Sequence, residues 1–399
     1  MQETWRWYGP NDPITLEHVR QTGATGVVTA LHEIPDGTSW PLEEIIKRKE
    51  MIEAAGLEWS VCESIPMEQC VKRGDADAPK AIARWKETLA NLGRAGIPTV
   101  CYNFMPVVDW TRTDLRWRTE RGTGLALRFE MTDFVAYDVF ILKRPNAAES
   151  YDANVVARAE QRAKAMSDDE KLLLERNIIA GLPGGALVQT RQSINTLLES
   201  FGGINAVTMQ SNLLAFLKEV VPVAEEHGVY LGIHPDDPPF SLFGLPRVVS
   251  MPQDVRSILS AVDSPYNGIT LCTGSYGSRP DNDLVAMATE FAPRINFAHL
   301  RNVTVEADGS FFEDDHLDGG TDMVGVVEAL LREERRRAAA GDTRRAIPLR
   351  PDHGHLLGDD IDKKTNPGYS YIGRVKGLGE LRGAIRAIER QLDKEGAAA

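Results

Sequence analysis

The stretch from Ile347 to His355, Ile-Pro-Leu-Arg-Pro-Asp-His-Gly-His, holds the densest group of chemically active side chains in the sequence. A short apolar run there ends in Asp352, His353 and His355, and the glycine between the two histidines allows a sharp backbone turn. A carboxylate and two imidazoles can bind a metal ion or transfer protons. Because the chain of 399 residues has only 8 histidines, this cluster indicates a functional site.

Three further apolar runs end in potential metal ligands. His234 is followed by prolines that stop a strand, Cys272 is followed by a Thr-Gly-Ser turn, and His299 ends the run Asn-Phe-Ala-His. With Asp352 they would supply two nitrogens, one sulfur and one oxygen. Thiolate and imidazole favour zinc, whereas a carboxylate and open positions also suit manganese or iron, so the donor set leaves the metal open. Taken singly, a strand cysteine is more often inert core, and a histidine among apolar residues can be structural.

Two residues outside this ligand set are suited to proton transfer. The His353 imidazole can titrate near neutral pH, and the Pro-Gly turn before Tyr369 could aim its phenol into a pocket, although a surface aromatic is an equal alternative. The candidate substrate contacts are three arginines, whose guanidinium groups match a carboxylate, and two strand-end residues able to bind hydroxyl groups: Arg301, Arg350, Arg374, Asn103 and Tyr8. Arg350 could instead be the structural partner of a barrel carboxylate.

These residues follow eight apolar, β-rich runs that alternate with amphipathic, helix-like segments. Several runs have consecutive apolar residues, which is typical of parallel strands covered on both faces. Eight strand–helix units predict a (β/α)₈ barrel, in which functional residues lie at the strand ends; a doubly wound open sheet is the alternative. The predicted strands are Thr4–Tyr8, Gly26–Leu31, Glu58–Glu63, Thr99–Phe104, Val229–His234, Gly268–Thr273, Ile295–Leu300 and Ile347–Asp352.

The segment 105–203 departs from this alternation. We interpret it as a long, mostly helical insertion after the fourth strand, within a single barrel domain that covers residues 1–399. An insertion after a barrel strand usually lies on the face that carries the site, where it can form a lid or contact substrate. A peripheral embellishment or an oligomer contact is the alternative.

The composition excludes some classes of protein. A formal net charge of −13 and a pI of about 5.2 argue against a nucleic-acid-binding surface. The apolar stretches are shorter than the roughly 20 residues of a membrane span. The N-terminus lacks the layout of a signal peptide, and the 4 cysteines form no Cys-x-x-Cys pair, so we expect a reduced, cytoplasmic protein with no membrane partner.

Several motifs together resemble the mannonate dehydratase family of the xylose-isomerase-like barrels. They are Trp-Arg-Trp-Tyr-Gly-Pro at 5–10, Gly-Ile-His-Pro-Asp-Asp-Pro-Pro at 232–239, Leu-Cys-Thr-Gly-Ser at 271–275, His-Leu-Arg-Asn at 299–302, Arg-Pro-Asp-His-Gly-His at 350–355 and Pro-Gly-Tyr at 367–369. The resemblance implies removal of water from D-mannonate to give 2-keto-3-deoxy-D-gluconate, with manganese, or alternatively iron, in the site.

The resemblance also implies residue roles. His234, Cys272, His299 and Asp352 correspond to metal ligands. His353 and Tyr369 form a proton-transfer pair, in which the base and the acid are not assigned. We further expect a homo-oligomer with a small aldonate as substrate.

Two rival functions share this fold. A metal-dependent sugar isomerase would have a carboxylate-rich site, often with two metals, but the predicted strand ends offer few carboxylates besides Glu63 and Asp352. A catalytically silent barrel that binds sugar acids would not need ligands, base and acid together, and this sequence has all of them.

Overall fold

Eight parallel strands close into a barrel in the computed structural model, which confirms the predicted fold class. The structure describes residues 1–119, 122, 124–180, 191–342, 344 and 346–398. In chain order, its strands are β1 (Gln2–Arg6), β2 (Gly26–Thr29), β3 (Glu58–Glu63), β4 (Thr99–Tyr102), β5 (Asp114–Arg118), β6 (Leu125–Phe129), β7 (Tyr230–Ile233), β8 (Asn267–Cys272), β9 (Ile295–His299), β10 (Asn302–Val305), β11 (Phe311–Asp314) and β12 (Pro348–Arg350).

The barrel strands follow the order β1-β12-β9-β8-β7-β4-β3-β2, and each neighbouring pair is parallel. All their carboxyl ends therefore meet at one face, as the sequence predicts. The last strand is shorter than expected and ends at Arg350. Pro351 and Asp352 follow it, and the φ of 64° at Asp352 turns the chain away from the sheet.

Helices cover the outside of the barrel, and a further group of helices lies in the insertion. In chain order they are α1 (Leu16–Gln21), α2 (Leu42–Ala54), α3 (Gln69–Arg73), α4 (Ala78–Arg94), α5 (Met131–Val135), α6 (Ala153–Ala165), α7 (Asp168–Ile179), α8 (Arg191–Glu199), α9 (Ala206–His227), α10 (Pro252–Ala261), α11 (Thr273–Gly277), α12 (Leu284–Phe291), α13 (Met323–Ala339) and α14 (Ile372–Ala398). A separate cluster of fully buried side chains comes from four barrel strands and consists of Val28, Val61, Cys101 and Phe297. It packs the barrel interior beneath the site, so the barrel is a solid support and not a pore.

A second sheet lies outside the barrel. In the expected insertion, β5 and β6 are strands that the sequence analysis did not identify. They join the hairpin of β10 and β11 in a four-stranded sheet with the order β10-β11-β6-β5. The remaining described part of segment 105–203 is largely helical, and its residues 120, 121, 123 and 181–190 lie outside the described residues. The insertion and the hairpin are thus joined on the same side of the barrel.

No helix in the described ranges combines the length and the apolar composition needed to cross a membrane.

Candidate active site

A cavity of about 180 Å³ lies at the carboxyl ends of the barrel strands. It brings together eight of the residues predicted from sequence: Tyr8, Asn103, His234, Arg301, Arg350, Asp352, His353 and Tyr369. The insertion contributes Asp109 and Trp110 to its wall. Residues from strand ends far apart in sequence therefore share one compartment with part of the inserted segment.

The four predicted ligands lie close together at this cavity, and two of them, His234 and Asp352, line it. His234, Cys272 and His299 each offer one ligand atom, and the three atoms lie within 4.8 Å of one another. His234 Nε2 is 3.2 Å from His299 Nδ1, and Asp352 Oδ2 is 3.8 Å from Cys272 Sγ. Ligand atoms bound to one ion at about 2.0–2.3 Å lie roughly 3–4 Å apart, so the donor set and its spacing fit a single divalent metal.

The two histidines present unprotonated nitrogens to this point. His234 Nδ1 lies 2.7 Å from the Pro235 carbonyl, to which it donates, so Nε2 keeps its lone pair. The Nε2 of His299 lies 3.5 Å from a Glu63 carboxylate oxygen, which favours a proton there and a free Nδ1. Burial lowers the pKa of His234 and keeps the ring neutral. Metal-binding histidines commonly have their second nitrogen held in this way.

Asp352 is an ionised carboxylate in a strained backbone conformation. Its Oδ1 lies 2.5 Å from Arg350 Nη1, and its Oδ2 lies 3.2 Å from Arg301 Nη1. Burial alone would raise the pKa of Asp352, but Arg350, His353 and Arg301 outweigh it and hold the pKa well below its usual range. The positive φ of 64° is uncommon for a residue with a side chain and costs about 1–3 kcal/mol. Such strain is typical of residues that a site holds in place.

His353 and Tyr369 are packed against each other at the edge of the ligand cluster. Their ring centroids are 5.0 Å apart in an edge-to-face arrangement, and Tyr369 makes a similar contact with Tyr8 at 4.9 Å. Gly368, with a φ of 81°, makes this possible because a Cβ there would lie 2.7 Å from His353 Cγ. The Pro-Gly turn thus aims the Tyr369 phenol into the cavity, as the sequence indicates.

Arg301 and Arg350 line the cavity but are already paired with carboxylates. Arg301 lies 2.5 Å from Asp237, and Arg350 lies 3.0 Å from Glu63, besides their contacts with Asp352. Both arginines therefore pair with carboxylates of the protein, as the sequence analysis considered for Arg350 alone. Because they line the cavity, they can also contact a bound anion.

Arg374 is placed differently from the expectation. Its guanidinium donates to the main-chain carbonyls of Ser370, Arg6 and Tyr369 at 2.8, 3.0 and 3.3 Å, and it lies over the Trp5 ring at 3.9 Å. Burial lowers its pKa to about 10. It is not among the described residues that line the cavity, so its geometry supports the Tyr369 turn and not a substrate contact.

Sequence reasoning missed Glu313 and Arg112. Glu313, on β11, lies 2.8 Å from His353 Nδ1, and Arg112, in the insertion, lies 2.9 Å from Glu313. Glu313 begins an acidic run that is typical of a solvated surface, and the only signal against that interpretation is the apolar pair Phe311-Phe312 just before it. His355, the second imidazole of the Ile347–His355 stretch, supports the same strand through a 2.8 Å contact with the Glu313 carbonyl.

Comparison with known proteins gives a consistent result over nearly the whole chain. The family model for D-mannonate dehydratase (UxuA) matches residues 1–395. The chain is 81% identical over 399 residues to mannonate dehydratase 2 of Agrobacterium fabrum, with 100% of both chains covered. It is 57% identical over 390 residues to mannonate dehydratase of Saccharophagus degradans, with 98% of each covered.

Among solved structures, mannonate dehydratase from Streptococcus suis serotype 2 has a TM-score of 0.78 at 35% identity, covering 98% of this chain and 96% of that one. A D-psicose 3-epimerase has a TM-score of 0.51 at 12% identity, covering 96% and 99%. At that identity the second likeness concerns the barrel fold alone.

Proposed function

Because this chain belongs to the D-mannonate dehydratase (UxuA) family, we propose that it is a hydro-lyase that removes water from D-mannonate and releases 2-keto-3-deoxy-D-gluconate. The observation that carries the proposal is the convergence of four potential ligand side chains next to a cavity that a histidine and a tyrosine line. The donors are those of His234, Cys272, His299 and Asp352.

The reaction needs stabilisation of charge next to a carboxylate. A proton on carbon 2 of an aldonate is weakly acidic, because its removal adds negative charge to an already anionic group. A divalent ion held by the four ligands would stabilise that charge. Manganese is the ion we propose first, with iron as the alternative. Arg301 and Arg350 add positive charge at the cavity wall and orient the substrate carboxylate.

His353 and Tyr369 divide the two proton transfers. One takes the proton from carbon 2, and the other gives a proton to the hydroxyl that leaves carbon 3. Each positioned group of this kind contributes about 10²–10⁴-fold to the rate. Asn103 and Tyr8, which also line the cavity, bind substrate hydroxyl groups.

The inserted segment completes the cavity. Asp109 and Trp110 lie in its wall, which supports a substrate-contacting role for segment 105–203 within one barrel domain. The homo-oligomer stays a prediction.

One assay separates the proposal from its rivals. Protein purified without chelator is supplied with Mn²⁺, or with Fe²⁺ under anaerobic conditions, and with D-mannonate. We expect a 2-keto-3-deoxy acid, detected by its colour with thiobarbiturate or semicarbazide, and loss of that product when the metal is chelated. Binding without product would favour a silent sugar-acid-binding barrel, and an isomerised neutral sugar would favour an isomerase.

The metal site has its own test. Cys272→Ser replaces a soft thiolate with a hydroxyl of similar size, and we expect weaker metal binding in titrations followed by metal analysis. Cys62→Ser, at an equally buried cysteine outside the ligand group, is the matched control. Equal metal content in both variants would contradict the proposed ligand set.

A further inference from the structure

Glu313 is a buried carboxylate that reaches the site from outside the barrel. It lies on β11, and its side chain is 5% exposed. Both of its oxygens face one ring nitrogen: Oε2 and Oε1 are 2.8 and 2.9 Å from His353 Nδ1. Burial alone would raise its pKa, but His353, Arg301 and Arg112 outweigh it and lower the pKa to about 2. Glu313 is therefore an anion that accepts hydrogen bonds.

We propose that Glu313 is a positioning residue that fixes His353 with its proton on Nδ1 and leaves Nε2 free on the cavity side. The inference rests on the proposed function, because it concerns the tautomer in which His353 transfers a proton. A carboxylate that orients a histidine also stabilises the charged ring that forms when Nε2 takes up a proton.

Arg301 also contacts His353 Nδ1 and could favour the other tautomer of the ring. Arg301 Nη1 lies 2.9 Å from the same His353 nitrogen, so an unprotonated Nδ1 could instead accept a hydrogen bond from Arg301. In that case the lone pair of Nδ1 would face both Glu313 oxygens. Arg301 Nη1 has other anions within reach, Asp352 at 3.2 Å and Glu313 at 3.4 Å, so it does not need His353 as an acceptor. With the proton on Nδ1, His353 donates to the Glu313 carboxylate, and Arg301 Nη1 still faces the Asp352 and Glu313 carboxylates. This arrangement pairs each donor with an anion.

Arg112 holds the Glu313 carboxylate in this orientation. Its Nη2 lies 2.9 Å from Glu313 Oε1, and its Nη1 lies 2.8 Å from Asp237. The guanidinium is fully buried and lies over the rings of Trp110 and Phe311 at 5.0 and 4.8 Å. Arg112, which belongs to the insertion, thus fixes the Glu313 carboxylate that contacts His353.

This anchoring makes Glu313→Gln a sharp test. Arg112 can only donate, so the carbonyl oxygen of the new amide should face Arg112 and its NH₂ should face His353. Nδ1 must then accept, and the His353 proton moves to Nε2. We expect kcat to fall about 10–100-fold with little change in KM or metal content. Glu313→Asp keeps the charge and should retain more activity than Glu313→Gln.

Asp314→Asn is the matched control, because it removes the next carboxylate on the same strand. Asp314 accepts from Thr304 at 2.7 Å and is not among the described residues lining the cavity. We expect nearly wild-type kcat for this variant. A loss equal to that of Glu313→Gln would mean that the hairpin acts only through its fold, and the proposal would fail.

Nitrogen NMR of histidine-labelled protein, loaded with a diamagnetic divalent ion, gives an answer independent of activity. We expect the His353 proton on Nδ1 in the wild type and on Nε2 in Glu313→Gln. A proton on the same nitrogen in both would overturn the proposal. An inactive wild-type protein would contradict the proposed function instead, and the NMR comparison would still decide the role of Glu313.

Discussion

At the scale of single residues, Asp352 and His353 are neighbours in sequence with different surroundings. Asp352 faces the other ligands and two arginines, whereas His353 faces Glu313 and Tyr369. The left-handed conformation of Asp352 produces this divergence, because it turns the chain between the two side chains. One residue can therefore bind a metal while the next moves a proton.

Replacing the proton-transfer residues should separate catalysis from metal binding. His353→Ala and Tyr369→Phe should each lower kcat by about 10²–10⁴-fold, because each removes one positioned acid or base. Metal content should be retained, since neither residue belongs to the ligand group. Steady-state kinetics and metal analysis of the same preparations check both expectations. Near-normal turnover in either variant would rule out its part in proton transfer.

At the scale of elements, the barrel strands could be predicted from sequence, but the second sheet could not. Buried parallel strands have runs of apolar residues, and such runs are a local property of the sequence. β5 is Asp-Leu-Arg-Trp-Arg, a partly exposed strand, and β6 pairs with β11, about 180 residues further along the chain. A pairing over that distance has no local signal, so Glu313 could not be placed near His353.

The orientation of side chains was also beyond local prediction. Arg374 was expected to contact the substrate because its guanidinium group matches a carboxylate. Its stacking on Trp5 and its bonds to three carbonyls turn it towards the main chain. Arg301 and Arg350 follow or end barrel strands and line the cavity, but their carboxylate partners Asp237 and Glu63 come from other elements.

The Pro-Gly turn before Tyr369 can be tested by adding a single methyl group. In Gly368→Ala the new Cβ would lie 2.7 Å from His353 Cγ, so the ring must shift. A displacement of about 1 Å can cost about 10²-fold in rate, and we expect a loss of that order in kcat with metal still bound. Gly228→Ala is the matched control, because its φ of 67° is similarly unfavourable and no atom lies within 4 Å of the new Cβ. Equal kcat in the two variants would show that the turn does not position His353.

At the scale of the whole molecule, Arg112 joins three separate parts of the chain. It links the insertion to Asp237, after β7, and to Glu313, in the hairpin. Arg112→Met should lower the free energy of unfolding by about 3–5 kcal/mol, because it leaves two buried carboxylates short of a partner. Urea unfolding measures this change.

Arg128→Met provides the comparison for Arg112, since Arg128 also belongs to the insertion, on β6, but pairs with the partly exposed Glu130 and Glu306. We expect a loss of no more than about 1 kcal/mol there. Equal losses would mean that burial of the Arg112 network does not matter for stability.

The pH dependence of folding offers a last test, centred on His316. Its Nε2 donates to the Pro351 carbonyl at 2.7 Å, which ties the end of the β10–β11 segment to the residue before Asp352. Burial lowers its pKa from 6.5 to about 4, so the native state keeps the ring neutral. Above pH 6.5 neither state binds a proton. As the pH falls from 6.5 to about 4, only the unfolded state binds one, and the native state loses roughly 3 kcal/mol of stability.

His316→Gln keeps an N–H donor but cannot titrate. Its free energy of unfolding, measured by urea titration of metal-free protein between pH 8 and pH 4, should differ from the wild type by a constant offset above pH 6.5. Below that pH the wild type should lose stability faster than the variant, because every other titrating group is common to both proteins. Parallel curves down to pH 4 would show that His316 is not held neutral, and that burial of this ring does not couple the hairpin to the end of β12.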